Sequence, residues 1–453
     1  MKRTYWLERA WLGRPHGAEP VDEPVDEGVL VSFEGSRFTS VETGVAIPPG
    51  DARTLPGLTI PGMANAHSHA FHRALRGRTQ RERGSFWTWR EQMYGLASRI
   101  TPDTYFELAR AVYREMVAAG FTTVGEFHYL HHGPDGTPYD DPNAMGQALV
   151  EAAREAGIRI GLLDTCYLAA GIGQPTDGVQ LRFSDGSAER WAARLERLEF
   201  VEDDDDVVLG AAVHSVRAVP LEDLREVVAW AEQHRAPLHF HLSEQVAEND
   251  ASLAAYGMTP TEVLADAGAL GCLATAVHAT HLTATDTQRL GAAGAHVCFC
   301  PTTERDLGDG IGPSRALDEA GAQLTLGSDS HAVIDPFEEM RAVELDERLA
   351  TRQRGHWAAE ELLLAATRTG QVSLGFDDAG VIAVGAPADL VTLDTASPAT
   401  AGTGGSLEAA VFAAGASDVV HVVAQGRVVA TRESREDLGR ELDAVISRIW
   451  RDA

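Results

Sequence analysis

The chain has 453 residues, 67 acidic and 38 basic, for a formal net charge of −29 at pH 7. A surplus of that size repels phosphate backbones and anionic headgroups, which sets nucleic-acid and membrane-surface roles aside. No apolar run approaches the roughly 20 residues of a membrane span, and four cysteines scattered over positions 166, 272, 298 and 300 do not make a disulfide framework.

The opening stretch, MKRTYWLERAWLGRPHG, lacks the apolar core of a signal peptide, so a cytoplasmic protein is expected. Lys2 is the only lysine. A Walker P-loop, a pyridoxal-phosphate Schiff base and a lysine-bridged two-metal hydrolase each need a lysine within the fold, and all three are excluded. Neither HExxH nor GxSxG occurs, which removes the zincin and α/β-hydrolase signatures.

In chain order, residues 1–57 are punctuated by glycine and proline between strand-like pieces such as LVSFEG and FTSVETG. From residue 58 continuously apolar runs alternate with helix-like stretches, the runs being 58–69, 121–129, 158–167, 207–215, 236–244, 274–281, 295–304 and 322–331. Runs without polar alternation suit parallel strands covered on both faces. Their number and their helical spacers predict a (β/α)8 barrel of the TIM type over 58–379, with an open doubly wound sheet as the structural alternative. Thr101-Pro102 marks a helix start and Gly120 its end, and PLEDLREVVAWAEQHR (220–235) reads as a second helix. EDDDD (202–206) reads as a solvated turn before the fourth strand. Residues 380–433 turn strand-rich again, so the two ends are expected to pair into one small β-sheet domain. AGTGG (401–405) is a loop, and 434–453 is a C-terminal helix.

In such a barrel the active site lies where the strands end. The ends carry His67-Ser68-His69, Glu126-Phe127-His128-Tyr129, His214 with Arg217, His239-Phe240-His241 with Glu244, His278 with His281, and Asp329-Ser330-His331. A spacing of two puts His67 and His69 on one face, as a chelate needs. With His241 and Asp329 they form a donor set of three nitrogens and one carboxylate, suited to one Zn2+ with Fe2+ as second choice. His239 is read as packing on the face opposite His241. A metal at such a site brings the pKa of water towards 7. Glu244 is placed to carry a proton to a leaving nitrogen, and His281 to orient the attacking water. Cys298-Phe299-Cys300, without a second cysteine pair, is read as buried core.

HSH at 67–69, HLSE with His241 and Glu244, HATH with His281 and GSDSH at 327–331 resemble the amidohydrolase superfamily in its one-metal deaminase branch. That branch lacks a bridging carboxylated lysine. HSHAFHRALRG (67–77), GSFWTWREQMY (84–94), EFHYLHH (126–132) and HSVRAV (214–219) are similar, more narrowly, to the formimidoylglutamate deiminase family. The resemblance implies hydrolysis of N-formimino-L-glutamate to N-formyl-L-glutamate and ammonia in histidine degradation. It also implies a homodimer and a small substrate with two carboxylates, held by Arg90 and Arg217. Tyr129 and His214 would hydrogen-bond the formimino group or a carboxylate, while Trp87 and Trp89 wall the pocket or support the loop carrying Arg90. His72 stands where that family has Gln and would touch a substrate carboxylate. In the implied reaction Asp329 accepts a proton from water, His281 positions the oxygen and Glu244 protonates the imino nitrogen. The rival within the superfamily is a deaminase of another amidine or a nucleobase, but a neutral base needs no paired guanidinium clamp. A catalytically silent scaffold barrel is disfavoured, because the donor set and the proton-handling residues are all present.

Overall fold

The computed structural model describes residues 2–14, 23–80, 84, 86–198 and 205–451, the side chains of Phe86 and Trp87 apart. The strands are β1 (Arg3–Trp11), β2 (Val25–Glu34), β3 (Arg37–Glu42), β4 (Arg53–Pro61), β5 (Met63–Ser68), β6 (Phe121–His128), β7 (Arg159–Cys166), β8 (Ala169–Gly171), β9 (Gln174–Pro175) and β10 (Val207–Val213). They continue with β11 (Pro237–Leu242), β12 (Leu273–His278), β13 (His296–Phe299), β14 (Gln323–Leu326), β15 (Leu390–Leu393), β16 (Val419–Ala424) and β17 (Arg427–Thr431).

Eight of these form a sheet in the order β14-β13-β12-β11-β10-β7-β6-β5, every neighbouring pair parallel. Their side chains are buried almost without exception, as strands covered by helices outside and packed side chains inside must be. The sheet comes round on itself through a parallel bridge between Ser68 and Asp329. There Asp329 N donates to His67 O at 3.0 Å and His69 N donates to Asp329 O at 3.1 Å. The seam depends on Gly327, where a Cβ would stand 2.8 Å from His67 Cβ and 3.0 Å from Cys300 Sγ. The (β/α)8 barrel expected from the sequence is therefore the fold. Among the described residues no helix is long and apolar enough to cross a membrane.

The second sheet has the order β17-β16-β15-β4-β1-β2-β3 and is built from both chain ends. At its centre β4 runs parallel to β1 and antiparallel to β15. Its own core gathers Leu7, Val29, Val31, Phe33, Phe38 and Leu390. The sequence reading needs one correction here. The run 58–69 is two strands: its first residues complete β4 in the small sheet, and only β5 belongs to the barrel. The break falls at Gly62, where a Cβ would stand 2.2 Å from Thr122 Oγ1 and 2.8 Å from Asp389 Cβ. Both halves are buried, so hydrophobicity alone does not separate them.

The floor of the barrel corrects a second expectation. Leu374 fills the space left by Gly125 and Gly161, and the carbonyl of Ser373 accepts a hydrogen bond from His239 Nε2 at 3.1 Å. His239 is two residues from His241 on one strand, so it faces the same side, a layer deeper, and not the opposite side. Cys298 and Cys300 are buried against Ala66 and Val277. Residues 202–204 of the acidic run lie outside the described residues. The helix Pro102–Ala119 starts at Thr101, whose side chain accepts from Thr104 N, and ends at a left-handed Gly120. The closing helix Arg435–Arg451 lies against it, with Glu441 paired to Arg110 and Arg114, and Trp450 Nε1 donates to Ala74 O at 2.9 Å.

Barrel and small sheet are joined by a buried ion pair between Arg159 and Asp389, each 2% exposed. Arg159 Nε also donates to Thr123 Oγ1 at 3.2 Å, and Gln425 N donates to Asp389 Oδ1 at 2.8 Å. Replacing Asp389 by Asn strands a guanidinium in a dry interior, with an expected loss of about 3–5 kcal/mol. Thermal unfolding checks this, and an unchanged Tm for Asp389→Asn would contradict it.

Candidate active site

Four side chains from three strand ends meet at the mouth of the barrel. His67 and His69 close β5, His241 closes β11, and Asp329 follows β14 at the seam. Asp329 Oδ1 lies 3.2 Å from both His67 Nε2 and His69 Nε2, and His241 Nε2 lies 3.1 Å from His67 Nε2. One donor atom from each falls within 4.8 Å of the others, and all four residues are buried. Two rings are aimed by their second nitrogen: His69 Nδ1 donates to Phe127 O at 3.0 Å and His241 Nδ1 to His214 O at 2.9 Å. That leaves their Nε2 lone pairs facing the cluster. The ring of Phe127 backs the group, its centroid 4.4 Å from that of His241 and 5.0 Å from that of His67.

The protonation states match the geometry. Burial pushes His67 down to about 4 against a hydrogen bond to Asp329, and burial with the neighbouring His67 ring takes His241 well below its ordinary value. Burial works upward on Asp329, but the close approach of the His67 and His69 rings outweighs it and holds the carboxyl well below the usual range. His67 and His241 held towards their neutral forms beside an ionised carboxylate, with His69 crowded into the same buried site, make the donor set a divalent cation requires. The residues fit a metal ion.

The turn that carries His69 is held from behind by Glu126. Its Oε2 accepts from Ser68 Oγ at 2.6 Å and its Oε1 from Ala70 N at 2.7 Å. Burial nonetheless raises its carboxyl to about 7.

A cavity of about 580 Å3 opens above the cluster, walled by His72, Arg90, Tyr129, His214, Arg217 and Glu244 among others. His72 Nε2 lies 2.9 Å from Tyr129 Oη. Burial, with the neighbouring His69 ring, pushes His72 well below its ordinary value, and burial raises Tyr129 well above its own, so both are neutral. Arg90 sits on the helix Phe86–Ala97, its guanidinium 5.5 Å from the Tyr94 ring centroid. Trp89 meets the His72 ring at 5.2 Å, whereas the Trp87 side chain and Ser85 lie outside the described residues. Arg217 enters from the loop after β10.

Glu244 leaves β11 just past Ser243, whose φ is +51°. Burial raises its carboxyl, and its Oε1 lies 4.0 Å from His278 Nε2. His278 is the strand-six histidine of this cavity. Its Nδ1 lies 3.2 Å from Glu304 Oε1, and its ring is stacked over His241 with centroids 5.6 Å apart. Burial opposes its charge, but Glu244 and Glu304 outweigh burial and raise its pKa well above the ordinary value. His281, expected in this role, is not on the cavity wall. Its Nε2 donates to Asp309 O at 2.8 Å. Strand six ends at His278, and two successive left-handed residues, His278 (φ +68°) and Ala279 (φ +50°), turn the chain away before His281. His278 stood among the strand-end residues without a role; Glu126 and Glu304 carried no signal beyond being acids near strand ends.

A second grouping, His128, His131 and Asp164, is also buried. Arg194 already holds both oxygens of Asp164 at 2.9 and 2.7 Å and reaches Asp185 at 3.0 Å, with His132 Nε2 3.0 Å from Asp185. The cation of that network is a guanidinium, so the EFHYLHH stretch past Tyr129 is structural.

Residues 58–429 match the amidohydrolase family. The formimidoylglutamate deiminase of Pseudomonas aeruginosa is 38% identical over 391 residues, 83% of this chain and 86% of the relative. A 5-methylthioadenosine/S-adenosylhomocysteine deaminase of Halobacterium salinarum is 30% identical over 410 residues, 89% of this chain and 88% of the relative. The crystal structure of an amidohydrolase from Brucella melitensis superposes with a TM-score of 0.87 at 32% identity, covering 99% of this chain and all of that one.

Metal analysis of purified variants tests the donor set. His241→Ala and Asp329→Asn are expected to weaken metal retention by at least about tenfold, and His281→Ala to retain the wild-type content. Equal metal in all three proteins would contradict this assignment.

Proposed function

The chain belongs to the amidohydrolase family, which makes it a hydrolase of carbon–nitrogen bonds, and from that premise we propose that it deiminates N-formimino-L-glutamate to N-formyl-L-glutamate and ammonia, a step of histidine breakdown. The observation that carries this reading is the pair Arg90 and Arg217 on the wall of one cavity with Glu244 and the His/Asp cluster. Two guanidinium groups facing a deaminase centre suit a substrate with two carboxylates, each of which a guanidinium grips bidentately. A nucleoside substrate such as those named for the archaeal relative carries at most one carboxylate.

A divalent ion, Zn2+ in this reading with Fe2+ as second choice, would be held by His67, His69, His241 and Asp329 and would supply a Lewis acid and an activated water. The chain's own groups do the rest. Arg90 and Arg217 anchor the carboxylates and bring the formimino carbon over the cluster, while Tyr129, His72 and His214 offer hydrogen bonds to the bound molecule. Asp329, kept ionised, accepts a proton from the attacking water. Glu244, its carboxyl raised by burial, protonates the imino nitrogen as the carbon–oxygen bond forms. His278, raised towards its charged form beside Glu244, orients the oxygen in place of His281. The carbon–nitrogen bond then breaks. The proton held by Asp329 passes to the departing nitrogen, which leaves as ammonia, the hydroxyl proton restores Glu244, and the oxygen remains in the formyl group.

Ammonia release from N-formimino-L-glutamate, with the product weighed by mass spectrometry, tests the reading. Metal-dependent release with N-formyl-L-glutamate as product is expected; no turnover by folded, metal-loaded protein would contradict it. Glu244→Gln should lower kcat by about 10²–10⁴-fold with metal content unchanged, and near-normal turnover in that variant would remove the proton-carrying role.

A further inference from the structure

Behind Arg90, Arg217 and Glu244 lies a second cavity, of about 740 Å3, sharing those three residues with the first. Its far wall is the first turn of the helix Val246–Tyr256, and β8 and β9 contribute Ala170, Gly171 and Gln174. In that turn sits Glu248, 5% exposed, with no hydrogen-bond partner for its Oε1 among the described residues. The strongest attraction on this buried carboxylate comes from Arg217, with His278 and a hydrogen bond from the Glu244 backbone adding to it and the Glu244 carboxylate opposing it. Arg90 is the other cation on the cavity wall. On the adjoining helix Pro260–Asp266, Glu262 is taken up by Thr259 N and Arg289. Burial brings Glu248 up to about 7 against the pull of Arg217.

Arg217 thus serves two protein carboxylates, Glu244 and Glu248, and makes no ion pair with either. An anion arriving from the first cavity becomes a third claimant on one guanidinium. We propose that Glu248 is a positioning residue that shares Arg217 with the substrate: ionised in the empty protein above neutral pH, it takes a proton from solvent when a substrate carboxylate settles on Arg217. The inference rests on the reading that Arg217 binds a carboxylate. Its sign is fixed. Binding that takes up a proton weakens as pH rises through the range in which the empty protein's Glu248 ionises.

Calorimetric binding of N-formyl-L-glutamate to the metal-loaded protein, in buffers of different ionisation enthalpy between pH 6 and 9, counts the protons. Wild type should take up close to one proton above neutrality, with Kd rising towards tenfold per pH unit, whereas Glu248→Gln should take up none and bind with little pH dependence over that range. Equal uptake in both proteins overturns the proposal. So does a wild-type count near zero, whatever the variant does. Arg217→Met separates the two readings. Wild-type affinity in that variant, or no binding to the wild type at all, overturns the carboxylate role of Arg217 and this proposal with it. Weakened binding there, beside unchanged uptake in Glu248→Gln, overturns this proposal alone.

Discussion

The constraint on which the site depends is the closure of the barrel. Two histidines on the first strand and an aspartate after the last are far apart in sequence and face each other only because β14 returns to β5. The reciprocal hydrogen bonds between Asp329 and the backbone of His67 and His69 put the carboxylate within 3.2 Å of both rings. That approach needs a residue without a side chain at 327, since any Cβ would collide with His67. Burial in the closed barrel pushes His67 and His241 towards their neutral forms, while the neighbouring histidines keep Asp329 ionised against it. A buried site with that donor set suits a cation.

Around the cluster, charge is sorted by position. Glu244 and His278 face each other above the donors, each shifted by the other and by burial, and Arg90 and Arg217 line the same cavity. Titratable groups shifted by their surroundings, held on rigid strand ends within one cavity, are what acid–base chemistry at neutral pH requires. The buried Arg194 network on the third strand uses the same residue types to opposite effect: its carboxylates are already paired with a guanidinium.

Much of this was legible in the sequence. Continuously apolar runs marked the barrel strands, because burial on both faces leaves no polar alternation. The polar residues at their ends marked the site, because a barrel gathers its strand ends at one face. What escaped did so for physical reasons. The passage from small sheet to barrel at Gly62 is invisible in hydrophobicity, since both sides of it are buried. His278 and His281 are equally histidines near a strand end, and the two left-handed residues that decide between them obey no composition rule. His239 and His241 share a face by strand alternation, so only depth separates them, and depth is set by the chain that plugs the barrel floor. Glu126 works from outside the barrel through Ser68 and Ala70, a relation that sequence spacing does not encode.

The central claim, that closure assembles one metal site from imidazoles and a carboxylate, is tested most directly by X-ray absorption at the metal edge of the purified protein. The account predicts a shell of three imidazole nitrogens completed by oxygen, with no sulfur. A sulfur scatterer would assign the metal to the Cys298 and Cys300 region instead. A shell of oxygens alone would place it away from His67, His69 and His241, and either result would contradict the account.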